Sequence, residues 1–170
     1  MPPIRCVEPA LANAIDLSVV DVPAGQELLF PHVDTCLAMA MLLADGRTIG
    51  GHASMQAADP NAPLDPYGNA KLMLASMNML RGATVVTKFV LIGAGHWLDD
   101  FVRGKDIIAK MRARVVCVNS LYVNTNSFGH GADVLMDSAN SQVVVTHADT
   151  QALALTKLYA HIVGMVDEEP

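Results

Sequence analysis

Positive charge is in short supply in this sequence. Eleven Lys and Arg face seventeen Asp and Glu, for a net charge of −6, and the cations are scattered along the chain. That balance excludes a protein that tracks a phosphate backbone, which needs clustered cations. It leaves a basic protein partner open. Cysteine is sparse too: Cys6, Cys36 and Cys117 are odd in number, far apart and form no Cys-x-x-Cys pair. No disulfide framework follows, and reduced thiols in a cytosol suit the pattern. No uninterrupted apolar run approaches the roughly 18–20 residues needed to cross a bilayer. The best, Cys36 to Ala44, is far shorter. The start, Met1-Pro2-Pro3-Ile4-Arg5-Cys6, lacks the apolar stretch of a cleaved signal peptide. The expectation is a cytoplasmic protein, or one exported without a cleavable signal, with no membrane partner. Aromatic rings are few, 5% of residues, whereas Met occurs ten times. The core therefore reads as aliphatic and adaptable.

Apolar side chains are abundant. A hydrophobic content of 52% with 16% charged residues is too apolar for disorder. The 170 residues suit one domain spanning 1–170, and neither repeat nor linker divides them.

Local patterns give an element order. Ile15 to Val22 alternates as a strand and stops at Pro23-Ala24-Gly25. Thr35 to Ala44 is almost wholly apolar, and the Asp45-Gly46 turn makes it the first arm of a hairpin with Arg47 to Gln56. Ala57 to Gly68, with Pro60, Pro63 and Pro66, reads as loop. From Asn69 the period lengthens: Ala70, Met73, Met77 and Leu80 mark a helix capped by Asn69 and stopped at Gly82. A strand over Val85 to Ile92, a helix over Lys105 to Arg112 and a short buried strand over Val115 to Val118 follow. Ala132 to Met136 and Gln142 to Thr146 form a second hairpin, and Asp149 caps a last helix facing inward through Leu155, Leu158 and Ile162. This is not a strict alternation of strand and helix. It predicts an α+β sandwich with mixed sheets and helices on the outside.

Chemistry centres on Cys36 and His52. Cys36 opens the buried strand after His32-Val33-Asp34-Thr35, and His52 follows Gly50-Gly51 on the partner strand. Counting outward from the turn, an exact pairing of the two needs a bulge or a stagger. A thiol beside an imidazole is the minimum for thiolate attack, because the ring takes the proton and holds the nucleophile ready. The bland reading is a buried core cysteine in an apolar run. Cys117, in Val-Val-Cys-Val, reads as core, and Cys6 as an incidental terminal thiol. His96 after Gly93-Ala94-Gly95, and His130 in Phe-Gly-His-Gly, are ambiguous loop residues, while His147 and His161 read as surface. No short ligand spacing supports a metal site among His32, Cys36, His52 and His96, so neither metal nor cofactor is expected.

The order of features resembles the CheD-type chemoreceptor glutamine deamidases, which share a fold with the catalytic domains of cytotoxic necrotizing factors. Val33-Asp34-Thr35-Cys36 stands where that family has Leu-Gly-Ser-Cys, and Ile49-Gly50-Gly51-His52 stands where it has Ile-Gly-Gly before its histidine. Phe128 to Val134 is similar to the family's Gly-rich lead into a final hairpin. The resemblance spans about four fifths of the chain and implies a layered α/β/β sandwich. It also implies hydrolysis of a glutamine carboxamide on a partner protein, with Cys36 as nucleophile and His52 as its base. The departures are specific. The family's histidine falls two residues later, where this chain has Ser54, and its threonine falls at Phe30. The third catalytic role then passes to a backbone carbonyl, to Asp34 or to His32. Asp34-Thr35-Cys36-Leu37, Leu43-Ala44-Asp45 and His52-Ala53 also resemble the longer YfiH or laccase-domain proteins, which act on purine nucleosides with zinc. A third reading is a catalytically inactive domain that binds a protein.

Overall fold

The computed structural model describes residues 1–9, 16–55, 61–98, 104–115, 117, 120–125, 131–146 and 150–154. In chain order they form β1 (Ile4–Arg5), β2 (Val19–Val22), β3 (Leu28–Val33), β4 (Leu37–Leu43), β5 (Thr48–Ala53) and α1 (Pro66–Arg81). There follow β6 (Val86–Gly93), a 3-10 turn (Gly95–Leu98), α2 (Gly104–Arg114), β7 (Ser120–Asn124), β8 (Ala132–Asp137), β9 (Gln142–Thr146) and β10 (Thr150–Ala154). The strands make two mixed sheets, ordered β1-β3-β8-β9-β10 and β2-β5-β4-β6-β7. The β1–β3 and β6–β7 pairs are parallel and the other described pairs antiparallel. The architecture is α+β.

β4 supplies the reason for this layering. All seven of its residues are apolar and buried, so it needs cover on both faces and takes the centre of its sheet. Gly46, at φ 87°, lets the chain turn back after Asp45, and Arg47 secures the corner by donating to both Asp45 carboxylate oxygens, at 3.1 and 2.8 Å. Pairing then runs without interruption from Leu42↔Thr48 to Leu37↔Ala53. Two adjacent glycines on β5 show what lies on either side. A Cβ on Gly50 would stand 2.9 Å from Leu28 of β3, whereas one on Gly51 would stand 2.5 Å from Met77 and 2.9 Å from Met73 of α1. One face of this sheet therefore meets the other sheet, and the opposite face meets α1. The buried hydrophobic residues form one connected cluster across these layers.

Several expectations need correction. α1 begins at Pro66, so Pro66 to Gly68 is helix and not loop, and the cap is Asp65, whose carboxylate accepts from the Gly68 N–H at 2.9 Å. Proline at the first helical position loses no hydrogen bond there, which is why the helix begins earlier than Asn69. Of the strand expected over Val115 to Val118, Val115 and Cys117 lie in no strand and Val116 and Val118 lie outside the described residues, while Ser120–Asn124 forms a strand parallel to β6. β3 was not anticipated, since Pro31 and a positive φ of 52° at His32 interrupt its pattern. Thr150–Ala154 pairs with β9 as a strand where the start of a final helix was expected. Asp149, Leu155, Leu158 and Ile162 lie outside the described residues. No described helix is long and apolar enough to cross a membrane.

Candidate functional site

Register decides who faces whom. Ala38 pairs with His52 and Leu37 with Ala53, where the ladder ends, and Cys36 and Ser54 are the next residue on each strand beyond it. Side chains alternate across a strand, so Cys36, Ala38, Gly50, His52 and Ser54 share the face that looks toward the first sheet. The stagger that direct pairing of Cys36 with His52 required is absent, and the two sit one diagonal step apart. All three polar side chains are buried: Cys36 is 3% exposed, His52 1% and Ser54 8%.

The N-terminal segment closes over them. The Cys6 carbonyl accepts from His52 Nδ1 at 3.1 Å. A carbonyl oxygen can only accept, so Nδ1 carries the ring proton and Nε2 keeps its lone pair. Nε2 is fully buried and has no hydrogen-bond partner among the described residues. Two residues further along, the Glu8 carboxylate accepts from Ser54 Oγ at 2.9 Å, and its charge bears on the Cys36 thiol. Cys6 and Val7 are themselves buried, and Val7 donates its N–H to the Leu17 carbonyl at 2.9 Å. Asn69 of α1 completes the surround by donating to the Ser54 carbonyl at 2.8 Å.

This environment favours neutral groups. Burial pushes the Cys36 thiol up to about 12, with the Glu8 charge and its hydrogen bond adding to the effect and Asp34 contributing a weaker repulsion. The hydrogen bond from Thr35 opposes them. Burial likewise holds His52 below the ordinary imidazole value, against the pull of the Cys6 carbonyl and Glu8, while His32 pushes it the same way as burial. The Phe30 ring stands edge-on to the imidazole, with centroids 6.2 Å apart and planes at 82°. Phe30 occupies the offset at which the resembled family carries its threonine. It gives His52 an apolar wall.

Of the residues singled out from sequence, Cys36 and His52 lie at the same end of the β4–β5 hairpin, with no hydrogen bond between the thiol and the imidazole. Asp34 reaches the thiol as a neighbouring negative charge. His32 is exposed on the irregular pairing between β3 and β8, with its backbone N–H bonded to Asp133 Oδ1 at 2.7 Å. Gly131, at φ 68°, lies directly beneath the His32 ring, where a Cβ would stand 2.6 Å from it. Cys6 is fully buried and orients His52, so it is no incidental terminal thiol. Cys117 is partly buried against the core. His130, His147 and His161 lie outside the described residues, and His96 falls in the 3-10 turn. Glu8 went unnoticed in the sequence, since Cys-Val-Glu-Pro carries no motif and its partner Ser54 lies 46 residues away. Ser54 was visible only as a substitution. No three His, Cys, Asp or Glu side chains among the described residues are grouped so as to hold a metal.

No protein-family model matches this sequence, and no curated protein matches it.

Proposed function

We propose that this chain is a thiol-dependent hydrolase of the CheD-like protein glutamine deamidase type, converting a glutamine carboxamide on a partner protein to a carboxylate. The observation that supports it is the meeting of Cys36, His52, Ser54 and Glu8 on one inner sheet face. In this reading Cys36 Sγ attacks the amide carbon, the C–N bond breaks, and the thiol proton leaves with the nitrogen as ammonia. Water then cleaves the thioester and restores the thiol. His52 is suited to carry the proton, because Nδ1 is anchored on the Cys6 carbonyl and Nε2 has a free lone pair. The anchoring carbonyl fills the orienting role that a third side chain plays in other triads.

A second reading draws on the thiol itself. At about 12, roughly one molecule in 10⁵ carries the thiolate at neutral pH. Serine also stands at position 54, where the resembled family has its histidine. Both favour a catalytically inactive domain of the same build that binds a protein. Cys36→Ser separates the two. Incubation with a candidate partner adds one dalton at a glutamine if the hydrolase reading holds, and the variant abolishes the gain. A partner that binds tightly, gains no mass and responds equally to wild type and Cys36→Ser makes this a binding domain.

A further inference from the structure

The site is sealed by its own chain. We propose that Cys6-Val7-Glu8 is an autoinhibitory strap, latched by Glu8, that must lift before Cys36 can react. The inference rests on reading Cys36 as a reactive thiol, and it concerns the regulation of that site.

Two independent observations carry it. First, one three-residue segment reaches every polar side chain of the site: the Cys6 carbonyl accepts from His52, the Glu8 carboxylate accepts from Ser54, and the Glu8 charge bears on the Cys36 thiol. Second, His52 Nε2 is buried with no partner among the described residues. An orphaned buried nitrogen costs about 1–3 kcal/mol and is a feature of a site awaiting a ligand group. A glutamine side chain on a folded partner cannot reach a thiol that is 3% exposed.

Outside the site the strap is held at its N-terminal flank, where Arg5 donates to both Asp16 carboxylate oxygens at 3.1 and 2.9 Å. β1 pairs with β3 over two residues, Ile4↔Leu28 and Arg5↔Leu29. Beyond that, Cys6 donates its N–H to Leu29 and its thiol to the Ser18 carbonyl at 3.4 Å, and Val7 bonds Leu17. Glu8 itself is only partly buried, so its carboxylate is accessible to a competing cation or N–H donor on a partner. Lifting the strap frees Nδ1 of His52 and the Ser54 hydroxyl, and removes from the thiol the Glu8 charge that adds to the effect of burial. The charges of Asp34, in the β3–β4 connection, and of His32, exposed on β3, remain in place.

The test reads the thiol directly and needs no substrate, so it stands or falls apart from deamidation. Wild type, Glu8→Gln and Glu8→Ala are treated with iodoacetamide at pH 8, and labelling of Cys36 is followed by peptide mass. The expectation is a rise of about tenfold in both variants, with Cys117 unchanged. Amide hydrogen exchange on the same samples separates strap opening from unfolding. Opening speeds exchange at Cys6 and Val7 while the β4 amides of Met39 to Leu42 stay protected. Unchanged Cys36 labelling in both variants overturns the proposal, as does faster labelling accompanied by loss of β4 protection. Should deamidation fail while Glu8→Gln unmasks the thiol, the strap survives and the enzyme reading does not.

Discussion

The β4–β5 hairpin carries two faces built on opposite plans. Its outer face is apolar throughout: Leu37, Met39 and Met41 lie beside Gly51 and Ala53, under Met73 and Met77 of α1. Its inner face starts in the same way, with Ala40 and Gly50 against Leu28 and Val20. At one end that face turns polar, and Cys36, His52 and Ser54 are buried behind Glu8 and the Cys6 carbonyl. Burying polar groups is costly unless each finds a partner. The outer face holds the fold together, and the inner end spends stability on a site.

The largest effect expected from this contrast is on the outer face. Met39 is fully buried opposite Gly51, so Met39→Ala leaves a cavity beneath α1 and lowers stability by about 2–5 kcal/mol. Urea unfolding gives the value, and Cys36 labelling in the folded variant stays at the wild-type rate. A variant that unmasks the thiol would show that the faces are not independent.

The glycine pair sharpens the comparison. In Gly50→Ala the new methyl meets Leu28 at 2.9 Å and the β-branched Val20 at 3.1 Å, and the expected cost is about 1–3 kcal/mol. In Gly51→Ala it meets Met77 and Met73, unbranched chains that swing aside, and the expected cost is about 1 kcal/mol or less. Equal denaturation midpoints would mean that both neighbours yield alike.

The smallest effect is a slope with pH. His52 is held neutral by burial, below its ordinary 6.5. Beneath that value the unfolded chain binds a proton that the folded protein refuses, so stability falls as pH drops from 6.5 toward the lower folded value, by up to about 1.4 kcal/mol per pH unit. His52→Leu removes the orphaned nitrogen along with one hydrogen bond. Its stability at pH 7.5 is expected within about 1 kcal/mol of wild type, with the acid slope between pH 6.5 and 5 reduced. Chemical denaturation at the two pH values measures this, and a wild type with no slope there would place His52 in contact with water.

What the sequence made legible follows the range of each interaction. The β4–β5 hairpin, β6 and the β8–β9 hairpin came from turns and apolar runs that act within a few residues. The body of α1 came from its period, and only its start was hidden, because Pro66 closes a run of prolines that reads as loop. β3 and β10 escaped because their strand character comes from partners supplied by the sheet. The site divides along the same line. Cys36 and His52 stood out as a thiol and an imidazole near one turn. Glu8 and the Cys6 carbonyl reach them from 46 residues upstream of their partners, and a backbone oxygen has no signature in a sequence.

That distance has a consequence for the chain's history. Synthesis delivers Cys6 and Glu8 first, then Cys36, and only 46 residues after the strap come His52 and Ser54. A loop of that size closes late in assembly because its closure entropy must be met before its contacts form. Until then Cys36 is an ordinary solvated thiol near its unperturbed 9.0, open to oxidants and electrophiles. The finished fold guards a side chain that the nascent chain leaves bare.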